Sequence, residues 1–86
     1  MEISIRELLN QMEFVAKLFR LAADGKHKYQ TPAQLLGELK SLKARVEKQL
    51  LAAHNQQEVL LDWLLMARIY DEVMSLSRVC SLCQDP

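Results

Sequence analysis

The sequence predicts an all-α protein, an antiparallel helical hairpin extended by a third helix into a three-helix bundle. Three observations point there. Only two Gly and two Pro occur in 86 residues, and the strong helix formers Leu, Ala, Glu, Lys and Gln are abundant. Apolar residues recur at alternating steps of three and four. Cap signals stand where those stripes begin and end.

The first helix is expected over about 5–24. Ser4 with Glu7 spells a capping box, and Ile3 is placed to staple the incoming chain onto Leu8. Ile5, Leu8, Met12, Val15, Phe19 and Ala22 form one continuous seam, and Phe14, Leu18 and Leu21 form a shorter second stripe that widens it. Gly25 after Asp24 closes the helix, because Gly takes the left-handed cap conformation without steric penalty. Residues 24–30 are a polar connection.

The second helix is expected over about 32–53. Thr31 is its N-cap, Pro32 its first helical residue, and Gln34 stands three residues after the cap. Leu35, Leu39, Leu42 and Val46, then Leu50 or Ala53, make its seam, while Lys40, Lys43, Arg45 and Lys48 fall mostly off it. No Gly or Pro interrupts residues 52–57, so helices two and three have a continuous alternative. Unbroken from Pro32 to about Val79, such a helix would run about 70 Å, too long for the first helix to cover. Heptad phase favours a break near Asn55. Carried forward, the second seam puts Gln49 and Gln56 in the core, whereas the last stripe (Val59, Trp63, Met66, Tyr70, Val73) starts in a different phase. The third helix is then expected over about 56–82, capped within Asn55-Gln56-Gln57-Glu58, with 83–86 a frayed tail. One domain spans 1–86.

Residues 59–70 are the least ordinary part of the chain. Ten of these twelve residues are hydrophobic, and the exceptions, Asp62 and Arg68, stand about 120° apart on the helical wheel. A helix apolar on nearly every side expects burial on every side. A chain of this size buries only roughly 60% of its unfolded surface. With Val59, Trp63, Met66, Tyr70 and Val73 facing inward, Leu60, Leu61, Leu64 and Leu65 face outward, and Arg68, Asp71, Glu72 and Ser75 follow as a polar rim. An apolar patch with a charged rim has the composition of an association surface. The chain is therefore expected to form a homodimer, to dock on a protein partner, or both.

Charge and composition exclude other classes. Residues 1–24 carry four acids against three bases, residues 25–50 two against six, and residues 51–86 five against two. A basic middle between acidic ends suits helices paired within one bundle. The nucleic-acid alternative would use Lys26, His27 and Lys28 with Lys40, Lys43, Arg45 and Lys48, and Ala33 with Gly37 faintly resembles helix-turn-helix spacing. It is disfavoured because Glu38 and Glu47 dilute the patch and the net charge is zero. No basic region precedes the first apolar stripe, and no apolar run nears the ~20 residues of a membrane span. A basic amphipathic helix on a lipid surface is weaker still, lacking bulky aromatics. The expected location is cytoplasmic.

Cys80-Ser-Leu-Cys83 is a C-x-x-C pair at the C-terminal end of a helical run, where the helix dipole disfavours a thiolate. Structural zinc takes four N/S ligands, and His27 and His54 are isolated from the two cysteines and from each other. Neither histidine has a nucleophile at catalytic spacing, and Glu7, Glu13, Asp62, Asp71 and Glu72 form no acid/base pair. No cofactor, metal or enzymatic activity is expected.

The expected function is protein binding, as an adaptor, cochaperone or inhibitor-type protein, by helix-in-groove burial. Leu60, Leu61, Leu64 and Leu65 would carry the contact, joined by Phe14, Leu18 and Leu21, with Arg68 at the rim. In size and style the chain is similar to the small helical-hairpin cochaperones of bacterial secretion systems. That is a likeness of class without a shared motif, and it assigns no residues.

Overall fold

The computed structural model of the protein describes residues 3–83. Three helices pack against one another, α1 (Ile5–Ala23), α2 (Pro32–Leu51) and α3 (Leu60–Val79), followed by a 3₁₀ turn at Ser81–Cys83. No strand occurs among the described residues. The frayed tail expected at its last three positions lies outside them, and Cys83 itself sits in the 3₁₀ turn.

Caps explain most of the boundaries. Ser4 Oγ accepts from the Glu7 backbone N–H at 3.2 Å, the forward half of the expected box. At the far end of α1, the Gly25 N–H donates to the Ala22 carbonyl and the Lys26 N–H to the Leu21 carbonyl. This paired closure needs a left-handed residue, which Gly25 supplies at φ 75°. Thr31 and Gln34 form a complete capping box at 3.1 and 2.9 Å, with Pro32 at the first helical position.

The chain breaks between α2 and α3, so the continuous helix does not form. Gln56 is the reason. Its Nε2 donates to the Leu50 carbonyl at 2.8 Å, which also accepts from the Ala53 N–H, and to the Ala53 carbonyl at 3.1 Å, just beyond the end of α2. Its Oε1 accepts from the Trp63 indole N–H at 3.2 Å. Asn55 Oδ1 accepts from the Gln57 backbone N–H, a local turn that competes with helix. The expected start of helix three at residue 56 is thus too early, since Asn55 caps a turn and α3 begins at Leu60 without a side-chain cap.

Among the described residues the core is entirely apolar. Leu8, Met12 and Phe19 of α1, Leu35, Leu39, Val46 and Leu50 of α2, and Val73 of α3 are almost completely enclosed. Leu9 and Ala16 of α1 and Ile69 of α3, outside the expected seams, are buried too. Trp63 and Tyr70 are half-buried at the core edge. Gln49 donates to the Ile3 carbonyl at 2.7 Å, joining the end of α2 to the start of α1. Between α1 and α3, Arg20 pairs with Glu72 at 3.3 Å and Arg68 approaches Glu13 at 3.9 Å.

Candidate functional site

Helix α3 turns a narrow line inward, Met66, Ile69 and Val73, continued by Cys80 beyond its end. The steps of three, four and seven keep these residues on one side of the wheel. The opposite side carries Leu60, Leu61 and Leu64, which are 54%, 78% and 58% exposed, within about 100° of one another. Leu65, expected beside them, is half-buried and packs on the core, because it lies one turn before the buried Ile69.

The expected rim is divided. Arg68 and Glu72 reach Glu13 and Arg20 of α1, so their charges are directed along the α1–α3 seam. Ion pairs this exposed contribute about 0–1 kcal/mol, which orients α3 more than it holds it. Asp71 and Ser75 remain on the outer face. One turn of leucines, then polar side chains and the exposed Val79, is what the helix presents to solvent.

Phe14, Leu18 and Leu21 lie on another flank. Phe14 and Leu21 each follow by one residue the α1 positions that reach α3, Glu13 and Arg20, and so stand about 100° round the helix. Phe14 is 62% exposed and Leu21 is exposed, while Leu18 is half-buried. Phe14, Val15, Gly37 and Leu42 line an open groove of about 690 Å³ between α1 and α2, edged by Asn10, Gln11, Glu38 and Ser41. The structure therefore does not gather the eight expected contact residues into one patch. Two apolar surfaces face different ways.

The basic residues of α2 are dispersed. Lys43 pairs with Glu47 at 2.8 Å and lies 4.9 Å from the Tyr70 ring centroid, on the α3 side. Arg45, two residues on and about 200° round the wheel, lines with Lys48 a groove beside Ile3 and Ile5. Lys40 is exposed between these directions. Such a spread makes no continuous phosphate-tracking stripe.

Cys80 is buried with its thiol 3.9 Å from the Ala23 carbonyl, and both cysteines are free thiols. Burial, then the hydrogen bond with Cys80 and that neighbour's charge, push the Cys83 pKa up to about 12. Free thiols packed under a helix end serve as small apolar side chains. His27 stacks edge-on against Tyr29 at 5.8 Å, and its Nε2 is buried without a hydrogen-bond partner. Among the described residues, no three His, Cys, Asp or Glu side chains are placed to hold a metal ion. No helix among them is long and apolar enough to cross a membrane.

Two features escaped the sequence reading. Gln56 clasps α2 to Trp63; its signal is an amide seven residues before an indole, at a phase break. The groove beside Gly37 has its signal in a mid-helix glycine with no turn to make. In comparison with known proteins, no protein-family model, no curated protein and no solved structure matches the chain.

Proposed function

We propose that the protein is a small helical interaction module, of adaptor, cochaperone or inhibitor type, that docks the outer face of α3 on a protein partner. The observation that carries this reading is the exposure of Leu60, Leu61 and Leu64 on the helix that buries fewest side chains. Burying a Leu side chain contributes about 1.5–3 kcal/mol, so three on one face supply the anchor of a helix-in-groove contact. Asp71 and Ser75 beyond them supply a polar edge of the kind that surrounds such anchors.

Leu64→Glu tests it. The variant is expected to unfold at the wild-type urea midpoint, because the side chain already faces water, and to lose retention of the partner. Unchanged retention, or a midpoint lowered as by a core truncation, would remove the reading. Nucleic-acid binding by Lys40, Lys43, Arg45 and Lys48 predicts the opposite pattern, retention on a nucleic-acid column that falls steeply with salt.

A further inference from the structure

We infer that the outer stripe of α1, with the groove beside it, is a self-association surface that receives a second, antiparallel copy of this chain. This surface is distinct from the outer face of α3 and does not depend on the function proposed for that face.

The stripe is self-complementary when reversed. Glu7, Phe14 and Leu21 follow at steps of seven, so they lie along one line of the helix. Leu18 stands beside them, and Lys26 and Lys28 follow the end of α1. The Lys26 N–H closes on the Leu21 carbonyl, so the order along the chain is acid, apolar, apolar, base. Glu7, Lys26 and Lys28 are exposed, and none takes part in an ion pair among the described residues. Glu7 and Lys26 are separated by roughly 25 Å of helix and cap, with Phe14 and Leu18 near the midpoint. A two-fold axis through that midpoint sets Glu7 of each copy against Lys26 of the other. It also lays each Phe14–Leu18 pair over the other copy's groove.

A two-fold axis brings every group near it against its own image, so like charges there oppose association. The centre of this surface is suited to that. Phe14, Val15, Leu42 and Gly37 are apolar, and Asn10, Gln11 and Ser41 are neutral. Glu38 is engaged by Gln30 at 2.7 Å, and Lys17 points about 60° away from Phe14. Gly37 completes the hollow, since a Cβ built there meets nothing within 4 Å. A knob at Phe14 and a hollow at Gly37 on the same surface are what an isologous contact requires. The groove is open along its length, whereas small-molecule pockets enclose most of their ligand.

Sedimentation velocity on the full chain tests this, with the urea midpoint of each variant as the control for folding. The wild type is expected to show a monomer–dimer equilibrium. Phe14→Asp and Gly37→Leu are each expected to raise the dimer Kd roughly tenfold or more without lowering the midpoint measured at concentrations where the chain is monomeric. Glu7→Lys and Lys26→Glu should each weaken the dimer, and the double reversal should restore it, a rescue that a folding defect cannot produce. The inference is overturned by a wild type that stays monomeric, by a dimer indifferent to Phe14→Asp and Gly37→Leu, or by one dissociated through Leu64→Glu instead.

Discussion

Helices α1 and α3 are nearly equal in length, yet α1 buries seven side chains and α3 three. The difference does not follow hydrophobicity, because the richest apolar run of the chain, residues 59–70, belongs to α3. It follows position. All three helices touch one another, but α1 meets its two neighbours more extensively than α3 does, with Leu9 and Ala16 widening its seam beyond the expected line. Helix α3 offers Met66, Ile69 and Val73 and turns three leucines outward. An apolar residue stabilises this fold only where a neighbouring helix covers it. The uncovered ones on α3 are surplus to the isolated chain, and that surplus is the basis of the proposed docking surface.

The sharpest way to break this contrast is truncation on each side of it. Leu8→Ala or Leu39→Ala removes a fully enclosed side chain and should cost about 2–5 kcal/mol in urea denaturation. Leu61→Ala, at a highly exposed site, should change stability by no more than about 0.5 kcal/mol. Comparable losses at all three would mean that the outer leucines are structural. A smaller effect is expected at the junction, where Gln56→Ala frees the Ala53 carbonyl and the Trp63 indole and removes one of two donors to the Leu50 carbonyl. It should cost about 1–2 kcal/mol, with a changed indole emission that Gln57→Ala does not reproduce.

Gly37→Ala should move the other way. Its Cβ meets nothing in the protein, and an exposed mid-helix Gly is about 0.5–1 kcal/mol worse than Ala, so the urea midpoint should rise. The last effect is confined to alkaline pH, at the C-terminal turn. Cys83 is shifted from 9.0 to about 12, so the unfolded chain releases this proton first. Its contribution is complete below pH 9 and is lost as pH rises toward about 12. Cys83→Ser should flatten that part of the alkaline stability profile, and an unchanged slope would place the thiol in water.

Much of the fold was legible in the sequence because caps and seams are local. Thr31, Pro32 and Gln34 start α2 where their chemistry says, and Gly25 closes α1 through a conformation only glycine takes easily. The start of α3 was not legible, because Asn55 serves equally as a helix cap or a turn former. Gln56 decided between them through contacts to Leu50 and Trp63 on opposite sides of the break. Leu65 is expected outside the core, and Ile69 is missing from the expected stripe, for a related reason. On a helix apolar nearly all round, several stripes fit the period, and only the neighbouring helix selects one. The separation of Phe14 from the α3 leucines likewise depends on which side of α1 meets α3, which spacing alone does not encode.

The central claim is that the outer face of α3 meets another protein. A photo-crosslinking residue placed at Leu64 in the native host, beside one at the exposed Lys40 of α2, tests it most directly. A discrete protein adduct is expected from position 64 and none from position 40. Equal, diffuse labelling from both positions, or no adduct from position 64, would contradict it.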